Sequence, residues 1–432
     1  MNVKAISLAL SGLFLSGQAA SATQIAWWHA MGGELGNKVN EIAGKFNQSQ
    51  SEFEVKPVYK GSYSETMTGA ITAFRARQQP HIVQVFEVGT ATMMAADNAI
   101  YPVYKLMQDA GKTFDQSKYL PAVTGYYTDN DNNMLSMPFN SSTPVLYYNR
   151  DLLARAGVEV PTTWQEMAQA GQRLKETGTD CAFTTSWTPW VQLENFAALH
   201  DIPFATANNG FAGTEVELLV NRAEYVQHIE QLAEWGKSGL FKYGGRQSDS
   251  LPLFYSGECA MFMGSSASYA GIKNNTPDFE FGVGLLPYNQ TLIQQPQNSI
   301  IGGATLWVLQ GHEQEEYQGV AEFFEFLSSP EIQADWHQFT GYLPITHAAY
   351  KLTQEQGFYQ QNPGTEVAIE QMTRTEPTVN SKGIRLGNFV QIRDIVDEEL
   401  EKVWAGQSEP QKALNTIVER SNTQLGRFAK VN

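Results

Sequence analysis

The hydrophobic pattern changes period four times between Thr23 and Val88, and this alternation limits the possible folds more than any other feature of the chain. Thr23–Trp28 (TQIAWW) reads as an apolar strand. A helix is expected from about Glu34, because Leu35, Val39, Ile42, Ala43 and Phe46 recur at spacings of three and four. Phe53–Tyr59 alternates as a strand. Tyr63–Gln78 returns to helical spacing, with Met67, Ala70, Ile71 and Phe74 inward, and His81–Val88 is a strand rich in branched residues. A β-α-β-α-β order predicts parallel strands with helices on both faces. Open sheets of this kind bind ligands beyond the carboxyl ends of their strands. Those positions hold His29-Ala30-Met31 and Glu87.

Asn140–Asn149 reads as a loop leading into an extended apolar run, and a second α/β block follows. It comprises a helix from Trp164 to about Lys175, a strand at Cys181–Thr185, a helix near Tyr225–Trp235 and a strand at Cys259–Met263. Ile300–Leu309 (IIGGATLWVL) supplies another apolar strand. Two helices close the chain, one striped by Phe389, Ile392, Val396, Leu400 and Val403, the other by Ala413, Ile417 and Leu425. The chain has 432 residues, whereas a single core stops growing near ~250–300, so two domains are expected.

The N-terminus carries a basic start at Met1–Lys4, an apolar run from Ala5 to Leu15 and the sequence Ala20-Ser21-Ala22. That is the pattern of a secretory signal peptide over residues 1–22, with a mature chain beginning near Thr23. The apolar run is shorter than the roughly 20 residues that cross a bilayer. The formal net charge of −16 argues against nucleic acid, which needs a basic stripe, and against docking on anionic lipid. It leaves room for a small anion held by local donors. Cys181 and Cys259, in an oxidising compartment, fit either a disulfide or two buried thiols on neighbouring strands. Their separation makes no zinc site.

No H-E-x-x-H, G-x-S-x-G, Walker or dinucleotide glycine pattern occurs in the sequence. The scattered histidines show no metal spacing. Asp129–Asn133 (DNDNN) begins like a calcium loop but lacks the required Gly and distant Glu, so a polar hairpin turn is expected. An exported chain of this kind is either a secreted enzyme or a binding protein, and these absences supply the first with no catalytic signature; no cofactor and no metal are expected.

Two elements carry a family resemblance. Leu253–Met261 (LFYSGECAM) fits an F-x-x-G-x-x-A-M pattern, and Gly341–Ile345 (GYLPI) fits G-x-x-P. Longer stretches are more specific: Glu87–Ala95, Pro138–Asn149, Trp336–Ile345 and Asp397–Leu400. Together they resemble the bacterial solute-binding family that includes maltose-binding protein, and within it the glycerol-phosphate-binding branch that serves ABC importers. The resemblance runs over nearly the whole mature chain. It implies an α/β, two-lobed periplasmic binding protein fold of type II, with a ligand cleft between the lobes. Lobe I would comprise residues 23–143 and 299–345, lobe II residues 149–298 and 350–432, with hinge crossings near 143–149, 299–304 and 344–350. The implied partners are sn-glycerol-3-phosphate, glycerophosphodiesters such as glycerophosphocholine, and the membrane permease subunits of an importer, the receptor being a periplasmic monomer. The alternative is an oligosaccharide-binding protein of the same fold.

Glycerol-3-phosphate asks for a cation and several donors at one end, and for an acceptor and an apolar wall at the other. The resemblance places Arg393 at the phosphate, where a guanidinium fork matches phosphate oxygens. The residues alone favour an exposed salt bridge from Arg393 to Asp394 or Asp397, and only the resemblance moves it to the ligand. The resemblance also implicates Ser142, Ser265 and Gly303 as donors or as points of close backbone approach, and Tyr63 and Tyr342 as phenolic donors that exclude water. Glu87 would accept from the glycerol hydroxyls. Trp164 would stack on the glycerol carbons, although its place at a helix entry also fits an apolar anchor. One or two of Trp27, Trp28, Trp187 and Trp190 are expected to line the cleft, and the rest to be core.

Overall fold

A computed structural model describes residues 21–96 and 98–432. The expected signal peptide lies almost wholly outside the described residues. The strands are β1 (Thr23–His29), β2 (Phe53–Tyr59), β3 (Ile82–Phe86), β4 (Ile100–Tyr101), β5 (Met137–Ser142), β6 (Pro144–Asn149), β7 (Cys181–Thr185), β8 (Cys259–Ser265), β9 (Phe281–Gly284) and β10 (Gly302–Leu309). They form two sheets. One runs β2-β1-β3-β10-β4, with β5 also paired to β10; the other runs β7-β8-β6-β9.

The alternation at the N-terminus does what its period predicts. β1 pairs in parallel with β2 and β3, and the helices Gly33–Ser49 and Tyr63–Arg75 connect them. A capping box, in which Ser62 and Glu65 satisfy each other's backbone N–H groups, starts the second helix. In the second sheet β7 and β8 are parallel. β10 and β6 run against their neighbours. Both enter their sheets from the other half of the molecule, so they arrive at the opposite end.

Asn140–Asn149 is not a loop. Asn140–Ser142 finishes β5, Thr143 alone separates it from β6, and the chain passes from one sheet into the other at that residue. The polar run Asn140-Ser141-Ser142 disguises a strand, because these residues are buried at the floor of a cleft instead of in an apolar core. Around the crossing, the Thr143 hydroxyl donates to Ser299 Oγ at 2.7 Å, and Ser266 N–H donates to the Thr143 carbonyl at 2.9 Å.

Trp27, Trp307 and Trp336 are fully buried. The helices Phe389–Trp404 and Pro410–Ala429 pack together and against Ala223–Ser238 beside the second sheet. Cys181 and Cys259, paired in register at the starts of β7 and β8, form a disulfide. Asp129–Asn133 is a turn: the Asp129 carboxylate accepts from the N–H groups of Asp131 and Asn133. Among the described residues no helix is long and apolar enough to cross a membrane.

Candidate functional site

A cleft of about 830 Å³ lies between the two sheets, at the carboxyl ends of β1, β3 and β8. Its floor is built by the strands that cross from sheet to sheet. Ser142, the last residue of β5, stands opposite Gly302 at the start of β10, and Ser265, the last residue of β8, stands opposite Pro144. Gly303 has φ of +89°, and a methyl group added there would overlap the Asn140 carbonyl oxygen, so only glycine fits. The Ser265 hydroxyl accepts from Ala267 N–H at 3.1 Å, which leaves its own proton free to donate.

Two tyrosines from separate elements stand on one side. Tyr63 stacks on Phe86 with ring centroids 5.1 Å apart, and its hydroxyl accepts from Asn140 Nδ2 at 2.9 Å. Asn140 is held by Gln84 at 2.8 Å, and Gln84 by the Ala30 N–H at 2.8 Å. Tyr342 stacks on Trp336 at 5.7 Å. Burial lifts both phenols above their ordinary values, so both remain neutral donors.

Two tryptophans face them from the second half. Trp187 carries a positive φ of 45°, a strained conformation for such a residue. Trp190 lies in a π-helical turn, Pro189–Glu194, of a kind often found at functional sites. Trp190 is 4% exposed and its Nε1–H meets no acceptor among the described residues. Both residues line the cleft.

The charged centre is a three-residue cluster. Arg393, on the helix Phe389–Trp404, donates from Nε and Nη2 to the two oxygens of Glu194, at 2.8 and 2.7 Å. The same Nη2 donates to Glu87 Oε1 at 2.6 Å. Glu87 begins a short turn directly after β3, so this ion pair reaches from the first half of the molecule to the second. All three side chains are buried. Burial pulls the Arg393 guanidinium down, but Glu194 and then Glu87 outweigh it and hold the group above its usual value. Burial pushes the Glu87 carboxyl up; Arg393 opposes that, and the like charge of Glu194 reinforces it.

Of the eight residues singled out from sequence, the cleft brings seven together: Tyr63, Glu87, Ser142, Ser265, Gly303, Tyr342 and Arg393. Arg393 is not a surface residue paired with Asp394 or Asp397; its partners are Glu194 and Glu87. Trp164 is a correction. Its ring packs against His228 at 5.0 Å and against Phe183 and Trp235 at 5.9 Å, so it anchors its helix entry in the core and does not line the cleft. Trp27 is core and Trp28 is covered by Lys60 Nζ at 3.9 Å, which leaves Trp187 and Trp190 as the lining pair. Glu194 escaped the sequence reading. Its signal was a lone carboxylate in an otherwise uncharged, largely apolar run (WVQLENFAAL), since a charge is rarely buried without a partner.

Among the described residues one side-chain group has the composition of a metal site: His81, His312 and Glu316. It lies at the other end of β3 from Glu87. His81 Nδ1 accepts from the Ala26 N–H at 3.0 Å, so the neutral ring carries its proton on Nε2, 3.2 Å from Glu316. His312 Nε2 lies 3.1 Å from the Pro80 carbonyl. A metal at His81 Nε2 would force the proton onto Nδ1 and orphan the Ala26 N–H. The group works as a hydrogen-bonded latch.

Comparison with known proteins places this geometry. A family described as bacterial extracellular solute-binding protein matches residues 41–367. The sn-glycerol-3-phosphate-binding periplasmic protein UgpB of Salmonella typhimurium strain LT2 is 51% identical over 432 residues, covering 99% of this chain and 98% of its own. The protein of the same name from Escherichia coli strain K12 is 50% identical over 434 residues, covering 100% of this chain and 98% of its own. Among solved structures, UgpB from Mycobacterium tuberculosis in complex with glycerophosphocholine has a TM-score of 0.77 at 20% identity, covering 94% of this chain and 99% of that one. Maltose-bound MalE3 of T. maritima has a TM-score of 0.77 at 16% identity, covering 92% and 99%. The two structures share the maltose-binding-protein-like fold with this chain.

Proposed function

The chain belongs to the bacterial extracellular solute-binding family, and on that premise we propose that it is a periplasmic receptor for sn-glycerol-3-phosphate and glycerophosphodiesters that delivers them to the permease of an ABC importer. The observation that carries this reading is the convergence on one cleft of a single guanidinium and a ring of neutral donors, drawn from both sheets. Arg393 supplies the charge for the phosphate. Ser142 and Ser265 hydroxyls, and the backbone beside Gly303, supply neutral donors. Glu87 accepts from hydroxyls of the glycerol end, and Trp187 and Trp190 wall its carbons. On this reading the cargo is carried and not cleaved.

On this reading residues 23–143 and 299–345 form one lobe and residues 149–298 and 350–432 the other, hinged near 143–149, 299–304 and 344–350. Contacts that require both lobes at once favour the closed form, and this difference in affinity drives closure. The Arg393–Glu87 pair already spans that boundary.

Calorimetric titration with glycerol-3-phosphate tests the proposal. The full chain binds, and Arg393→Ala weakens binding by on the order of 2–5 kcal/mol, the cost of removing one member of a desolvated charge pair. A circular dichroism spectrum checks that the variant is folded. Unchanged affinity would take Arg393 out of the site. A thermal-shift response to maltose and none to glycerol-3-phosphate would replace the organophosphate with an oligosaccharide.

A further inference from the structure

The way Arg393 is held says which ionic form of the cargo the cleft accepts, an inference that rests on the organophosphate reading above. A guanidinium has five N–H donors. Three are committed: Nε to Glu194, and both hydrogens of Nη2, one to Glu194 and one to Glu87. The flat fork that would clasp a phosphate is therefore occupied by Glu194, and Nη1 is the nitrogen left to meet cargo. Among the described residues that line the cleft, Arg393 is also the sole Lys or Arg. It is paired with two carboxylates, so with both of them ionised the buried cluster carries one surplus negative charge.

A phosphate monoester changes between monoanion and dianion near pH ~6. A dianion placed beside this cluster adds two like charges in a poorly solvated site, where repulsion is strong. A monoanion adds one. No other group facing the cluster relieves the difference. Tyr63, Tyr342, Tyr126 and Tyr127, which surround Glu87, are all kept neutral by burial. Asp397, one turn beyond Arg393 on the same helix, is an acid pushed up to about 7 by burial, while Arg246 beside it is paired with Glu401.

We propose that Glu194 is a positioning and specificity-determining residue: it locks the orientation of Arg393 and, through its charge, biases the cleft toward monoanionic phosphate esters over dianions. The class includes phosphodiesters, which are permanent monoanions, and the hydrogen-phosphate form of a monoester. A monoester arriving as the dianion then binds with uptake of a proton, held by the phosphate or by Glu87.

The test is calorimetric titration of the full chain with glycerol-3-phosphate and with glycerophosphocholine from pH 5.5 to 8, in buffers of contrasting ionisation heat. In the unmodified protein the monoester's affinity falls up to tenfold per pH unit above its own titration and its binding takes up a proton, while the diester's affinity changes far less. Glu194→Gln keeps the shape and removes the charge. It flattens the monoester's pH profile and raises the monoester-to-diester affinity ratio at pH 8 by about tenfold. Glu194→Asp, which restores the charge, returns the profile; if the Gln variant fails to fold, the pH profile and proton uptake of the unmodified protein carry the test. A monoester affinity independent of pH in the unmodified protein overturns the proposal. So does a Glu194→Gln variant that weakens both esters equally with its pH profile intact, because that describes a purely structural residue. Failure of both esters to bind the unmodified protein would instead remove the organophosphate reading, and this proposal with it.

Discussion

Strand β3 has an ionisable cluster at each end, and the two are put to opposite uses. At its start, His81 accepts from the Ala26 N–H and lies 3.2 Å from Glu316, and His312 stacks on it with centroids 3.8 Å apart. Every polar bond there stays within one half of the molecule. At its finish, Glu87 meets Arg393 and Glu194 from the other half, and Arg393 keeps a nitrogen uncommitted. The second sheet repeats the contrast: the starts of β7 and β8 are stapled by Cys181–Cys259, while the finish of β8 presents Ser265 to the cleft. The amino ends of the strands fasten the scaffold. The carboxyl ends leave donors over, and groups from both halves meet there.

If that division is real, equivalent substitutions at the two ends should differ in kind. Gly303, at the cleft end, and Gly178, just before β7, both have φ near 90°. An alanine at Gly303 must also overlap the Asn140 carbonyl oxygen, whereas one at Gly178 meets open space. Gly303→Ala should cost about 3–5 kcal/mol of stability, from backbone strain and overpacking together, and should abolish ligand binding. Gly178→Ala should cost about 1–2 kcal/mol and leave binding unchanged. Urea denaturation and titration of both variants check this, and equal losses would erase the distinction.

The disulfide sharpens it from the other side. Replacing Cys181 and Cys259 together by serine should lower stability by about 2–4 kcal/mol. Affinity for glycerol-3-phosphate should stay within about twofold, because the bridge sits at the opposite end of β8 from Ser265. A binding loss matching the stability loss would mean that the two ends are mechanically coupled.

The same division explains what the sequence made visible. The fastening parts follow hydrophobic period: β1 to β3 and their two helices fall close to where alternation and three-four spacing put them, as do the closing helices. The cysteine pair was left open because spacing in sequence says nothing about register between parallel strands. The cleft is where period fails. Asn140-Ser141-Ser142 hides a strand because its polar side chains are buried by function. The resemblance draws Trp164 to the ligand, but its place at a helix entry, which the residues alone favour, drives the ring into the core. Glu194 gave only a lone charge among apolar residues, and its partner is 199 residues away. Local pattern cannot report such a contact. Seven of the eight positions implied by family resemblance, by contrast, meet at the cleft, because motif stretches carry information about distant contacts that periodicity lacks.

The last effect, smaller than that of the disulfide, belongs to His81, and its sign separates the latch from the site. Burial, and then the neighbouring His312, lower His81 from its ordinary value, with Glu316 opposing them. The unfolded chain therefore takes up this proton first as pH falls below about 6.5. The stability His81 contributes is complete above that pH and is lost as pH falls toward the folded value. His81→Leu leaves the Ala26 N–H without its partner, which should cost about 1–3 kcal/mol at pH 7.5. The gap to the unmodified protein should narrow at pH 5.5, since the variant has no proton to bind there. His29, His200, His228 and His337 are lowered by burial in the same direction, so both proteins weaken in acid and the narrowing of the gap is the quantity to read. Thermal unfolding at the two pH values measures it. Ligand affinity at pH 7.5 should match the unmodified protein, and a variant that lost affinity without losing stability would place the His81 end of β3 in the binding mechanism after all.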